Sequence, residues 1–100
     1  MDRVLERAIA TYGDEDQYSH VIGVLASLIE SMTELKRHED DSSYRLRVIA
    51  GIGSVEIAMD ALKIILDCEP TVGVAKHFEL QAIEQRLEAE KMKDFYARLK

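Results

Sequence analysis

Apolar residues recur with a helical period along almost the whole chain, and the clearest case is residues 44–67, YRLRVIAGIGSVEIAMDALKIILD. Val48, Ile52, Val55, Met59, Leu62 and Leu66 alternate steps of four and three, which draws one apolar stripe down a helix, and Ala50, Ile57, Ala61 and Ile64 supply a second. A helix with two apolar faces belongs in the middle of a bundle. Gly51-Ile52-Gly53-Ser54 interrupts the pattern: each glycine costs about 1 kcal/mol of helix propensity relative to alanine, and no turn signal accounts for the pair.

The remaining elements follow in order. Asp2 to Thr11 reads as a short helix with Val4, Leu5, Ala8 and Ile9 on one side, ended by Tyr12-Gly13. Asp14 is placed to cap a second helix, with Gln17 three residues on completing a capping box, and this helix runs to about His38. Val21, Val24, Leu25, Leu28, Met32 and Leu35 form its stripe, widened by Ile22, Ala26 and Ile29. Residues 39–43 form a short polar connection with a cap at its end, so the second and third helices are expected to lie antiparallel. Cys68-Glu69-Pro70 stops the third helix, and Thr71 is the expected cap of the last. There Phe78, Ala82, Ala89, Met92, Tyr96 and Leu99 make one stripe and Leu80, Ile83 and Leu87 another, with Arg86/Glu90 and Asp94/Arg98 paired on the outer face. The expected architecture is all-α: a four-helix bundle of one short and three long helices, forming a single domain over residues 1–100.

Composition narrows the partners. A formal charge of −6, with the C-terminal lysines and arginine diluted by Glu88, Glu90 and Asp94, argues against nucleic acid. One cysteine, Cys68, gives neither a disulfide framework nor a thiolate metal site, and no stretch has the apolar length of a signal peptide or membrane span. A soluble, cytoplasmic protein is expected, and a chain of 100 residues, only modestly stable alone, makes oligomerisation plausible.

No phosphate-cradling loop, nucleophile elbow or histidine pair at ligand spacing is present; His20, His38 and His77 are scattered. Four segments nevertheless carry a resemblance: Ala10-Thr11-Tyr12-Gly13 followed by Gln17, VIGVLASL at 21–28, IGSVEIAMDALKIILDCE at 52–69, and Gln85-Arg86-Leu87 in the last helix. Together they resemble the MazG-like all-α nucleoside triphosphate pyrophosphohydrolases. The resemblance implies a helical bundle, a dimer or tetramer, that splits nucleoside triphosphates to monophosphate and pyrophosphate with magnesium. In that family the metal is held by E-x-x-E on the second helix and E-x-x-D on the third. Residues three apart share a helix face, so two such pairs on antiparallel neighbours converge four carboxylates on hard Mg²⁺ ions.

The ungapped correspondence puts Val24 and Ser27 at the first pair and Gly51 and Ser54 at the second, so all four carboxylates are missing. Glu30 and Glu34 are four apart rather than three, and Glu56 lies about 140° round the helix from Gly51. The expected consequence is a MazG-like protein with no catalytic residues, no metal ligands and no cofactor, acting through homo-oligomerisation and a protein partner. A vestigial pocket is the second possibility: His20, Val24, Ser27 and Ser31 share one helix face and Arg47, Gly51, Ser54 and Ala58 another. His20, Ser31, Arg47 and Ala58 are then candidates to line a metal-independent nucleotide site, whereas closer helix packing through Gly51 and Ser54 is the structural alternative. A third reading keeps the enzyme, with Glu30, Glu34 and Asp60 as substitute ligands.

Overall fold

The computed structural model describes residues 2–99, and among them three helices and no strand: α1 (Asp2–Arg37), α2 (Ser42–Leu66) and α3 (Glu69–Leu99). The all-α class follows. The first two expected helices are one element, α1, broken at Gly13, whose φ of 84° and ψ of 162° leave the helical region without adding loop residues. Only glycine adopts that conformation without strain. Gly13→Ala should therefore destabilise the protein by about 1–3 kcal/mol. Gly53→Ala should stabilise by about 0.4–1 kcal/mol, since it sits in a regular helix with open space where the Cβ would go. Urea denaturation of both variants checks the contrast.

The short connection after α1 is tied by its own backbone: His38 N–H donates to the Glu34 and Leu35 carbonyls, and Asp41 N–H to the His38 carbonyl at 3.0 Å. The cap of α2 is Asp41, earlier than the end of the polar run. Its carboxylate accepts from Ser43 N–H at 2.9 Å and from the Ser43 hydroxyl at 2.7 Å. Those two bonds hold the Asp41 carboxyl below its ordinary value of 3.8, with smaller help from His38 and Arg47. A lowered folded pKa means that this contribution to stability is present above pH 3.8 and fades as the pH falls through the folded value. Asp41→Ala should thus lower the melting temperature at pH 7 and narrow its difference from the parent in strong acid, which a thermal melt at both pH values measures.

Spatial contacts group the residues into two compact units, Met1–Asp67 and Cys68–Lys100. In the first, α1 and α2 pack as an antiparallel hairpin: residues 23–27 of α1 meet 51 and 54 of α2, while 16–20 meet 57–61. Buried and half-buried positions draw the seam. On α1 they are Gln17, Val21, Val24, Leu28, Ser31 and Leu35, and on α2 Val48, Gly51, Val55, Ala58, Leu62 and Ile65, both alternating steps of three and four. The α2 seam is thus rotated from the expected stripe, with Gly51, Ala58 and Ile65 in place of Ile52, Met59 and Leu66. Small residues cause the rotation. A Cβ on Gly51 would lie 3.0 Å from Leu28 Cδ1 and 3.8 Å from Leu28 Cα, so the missing side chain lets the two helices approach. About two and three turns further along α2, Ala58 and Ala61 are buried, as is Val21 of α1. The glycine gap in the α2 pattern is therefore a packing feature at Gly51, but not at Gly53.

Helix α2 ends at Asp67, which adopts the left-handed conformation (φ 48°, ψ 51°) and returns its N–H to the Ile64 and Lys63 carbonyls. The second unit is the single helix α3. It begins two residues before the expected cap: Val72 N–H donates to the Cys68 carbonyl at 2.9 Å, so Thr71 lies inside the first turn. Pro70 fits there because first-turn N–H groups have no helical acceptor. The ion pairs of α3 are Arg86–Glu79 at 3.7 Å and Lys91–Glu88 at 3.5 Å, rather than the four-residue pairs expected from spacing.

Candidate functional site

The four positions that the resemblance singles out come together. Val24 and Ser27 of α1 and Gly51 and Ser54 of α2 line one open groove of about 380 Å³, joined by His20 and Gly23. Antiparallel seam packing produces this: Val24 and Gly51 sit on the seam itself, and Ser27 and Ser54 flank it on the same side. Within the groove the Ser54 hydroxyl donates to the Ala50 carbonyl one turn back, at 3.2 Å, so its hydrogen is already committed to its own helix.

A donor set of one imidazole and two hydroxyls, with a valine and two glycines beside them, does not fit magnesium, which dehydrates only for charged oxygen ligands held in near-octahedral array. Glu30 and Glu34 do not line the groove; Glu34 is paired with Arg37 at 3.7 Å and with His38 at 3.8 Å. Asp60 lies 3.2 Å from Lys63 on the α2 surface. No group of three or more His, Cys, Asp or Glu side chains is gathered for a metal among the described residues.

The candidate pocket residues are divided by the fold. His20 lines the groove and also a neighbouring cleft of about 370 Å³, where Ala58 forms part of the floor. Ser31 is half-buried on the seam and lines neither opening. Arg47 lies at the turn end of the hairpin, its guanidinium 5.4 Å from the centre of the Tyr44 ring, and Tyr44 stacks on His38 at 4.9 Å. The three side chains gather at the turn, where the His38 side chain stays 51% exposed as its polar surroundings in the sequence imply, and Arg47 lines neither opening.

The cleft at Ala58 was not expected as a site. Its rim carries Tyr12, Asp16, Gln17 and His20, and its apolar wall comes from Leu5 and Ile57. The break at Gly13 creates it by letting the residues on either side of the break share one cleft with α2. The sequence signal available was the four-residue step from Tyr12 to Asp16 to His20, which sets the three on one helix face. No helix of the described residues is long and apolar enough to cross a membrane. Comparison of the chain with family profiles, with curated proteins and with solved structures finds no match to any of the three.

Proposed function

We propose that the chain is a non-catalytic MazG-like protein that works by self-association and by binding a protein partner. One observation carries the reading: the groove at the four motif positions is built from His20, Gly23, Val24, Ser27, Gly51 and Ser54, and none of these can supply the negative charge a triphosphate-bound magnesium centre requires. Exposed apolar residues support the second half. Ile22, Leu25, Ile29 and Met32 step along α1 at intervals of three and four outside the seam, with Ile22 67% and Ile29 65% exposed. The test is turnover of the common dNTPs and NTPs with Mg²⁺ or Mn²⁺. No release of pyrophosphate above background is expected, and metal-dependent hydrolysis that follows the protein through purification would overturn the proposal.

The cleft rimmed by Tyr12, Asp16, Gln17 and His20 favours a second reading, a metal-independent nucleotide-binding protein, since about 370 Å³ lies within the range of small-ligand sites. A thermal-shift screen against nucleotides at millimolar concentration separates the two. A nucleotide-dependent rise in melting temperature that His20→Ala abolishes would favour the second reading, and no shift with any nucleotide would remove it.

A further inference from the structure

We infer that α3 pairs antiparallel with α3 of a second copy of this chain, through a seam formed by Ala75, Phe78, Ala82, Gln85, Ala89, Met92, Tyr96 and Leu99. These positions alternate steps of three and four over the whole length from 75 to 99, the seven-residue repeat of a two-stranded coiled coil. The inference rests on the self-association proposed above and names the surface that carries it. All of this stretch lies within one uninterrupted helix, and no residue of α3 is buried: Phe78 is 63% and Leu99 68% exposed.

Residue size selects the antiparallel arrangement. One set of alternate seam positions holds Ala75, Ala82, Ala89 and Tyr96, and the other holds the longer Phe78, Gln85, Met92 and Leu99. A parallel pair would set alanine on alanine and phenylalanine on phenylalanine, alternating voids with crowded layers. Reversing one helix sets each alanine against a long side chain. Ala75 then faces Leu99 of the second copy, Ala82 faces Met92, Ala89 faces Gln85, and Phe78 meets Tyr96 as an aromatic pair. In this register all eight positions of each helix are used.

Charge fits the same register. Glu79 of one copy flanks the seam beside Lys93 of the other, and the two-fold symmetry repeats that attraction at the opposite end. Like charges meet only next to the two-fold axis, Arg86 with Arg86 on one side and Glu88 with Glu88 on the other. Both already hold a counter-ion within their own helix, Arg86 with Glu79 at 3.7 Å and Glu88 with Lys91 at 3.5 Å. Leu80 and Leu87 lie on the far side of the helix, roughly 160–180° from the seam, and take no part in it.

Cross-linking of the full chain, with Cys68→Ser as background, tests the pairing. Ala82→Cys and Met92→Cys single variants, mixed and oxidised, should form the mixed disulfide, with little of either variant linked to itself. A disulfide of Ala82→Cys with itself would show the parallel arrangement, and no disulfide in the mixture would show that α3 is not the interface; either result overturns the inference. Sedimentation gives an independent reading. Ala82→Glu, at a position exposed in the single chain, should weaken the dimer by roughly 100-fold or more, while Leu80→Glu should leave it intact. A dimer that survives Ala82→Glu contradicts the α3 pairing but leaves self-association standing, whereas a wild-type chain that is monomeric at all concentrations contradicts both.

Discussion

Val21→Asp should abolish the folded hairpin, and Ile22→Asp, one residue further on, should leave it standing. The two side chains differ in surroundings rather than in chemistry. Val21 is 3% exposed and faces the α2 seam, whereas Ile22 is 67% exposed on the outside of α1. A carboxylate at position 21 would be desolvated among apolar neighbours, and no cationic side chain of the α2 seam, Val48 to Ile65, stands ready to pair with it. The expected loss is about 4 kcal/mol or more, against a total of about 5–15 kcal/mol for ordinary domains. Among the described residues only Val21, Ala58 and Ala61 are buried apolar side chains, so the hairpin has little other core to compensate. Far-ultraviolet circular dichroism and urea denaturation should show unfolding for Val21→Asp and a change within about 0.5 kcal/mol for Ile22→Asp.

The second large effect is a gain of function. Val24→Glu, Ser27→Glu, Gly51→Glu and Ser54→Asp together should make the groove bind divalent metal, because all four positions already line one opening between α1 and α2. Geometry adds a condition. The new Cβ at position 51 would stand 3.0 Å from Leu28 Cδ1, too close for an unchanged neighbour. Leu28 is only half-buried and the contact is the free end of its side chain, so adding Leu28→Ala clears the space without disturbing backbone. Ser54→Asp also replaces a hydroxyl bound to the Ala50 carbonyl with a carboxylate free to point into the groove. Four converging carboxylates supply a charge near −4 where the natural chain has none, and binding in about the millimolar range or tighter is expected.

Much of the hairpin was legible in the sequence, for reasons that particular residues make plain. Long helices with a period near 3.6 announce themselves, and the polar run before Tyr44 fixed the turn between α1 and α2. Val24, Ser27, Gly51 and Ser54 were singled out by the resemblance alone, and helical spacing adds only that each pair shares a face; that all four line one groove is seen in the packed hairpin. What periodicity could not give was the rotation of the α2 seam. Hydrophobicity favours Ile52 and Met59, but close approach at Gly51 and Ala58 buries the small residues and leaves Ile52 45% exposed. Apolar pattern reports what prefers burial, whereas backbone distance decides what receives it. Arg47 shows the same limit on the polar side: helical spacing placed it near the groove, but the Tyr44 ring within the same turn holds its guanidinium at the hairpin's end. Helix starts depended on single residues: the Asp41 side chain, rather than the end of the polar run, sets where α2 begins, and the Cys68 carbonyl, rather than Thr71, where α3 begins.

Calorimetric titration of Mn²⁺ and Mg²⁺ into the natural chain and into the five-substitution variant tests the central claim most directly. The account predicts no binding heat for the natural chain at millimolar metal and a saturable isotherm for the folded variant, through carboxylates at positions 24, 27, 51 and 54. Saturable binding by the natural chain that Glu30→Gln, Glu34→Gln or Asp60→Asn removes would contradict it, by showing that other acids hold a working metal centre. A folded variant that binds no metal would contradict it equally, by showing that the groove is not where that centre would lie.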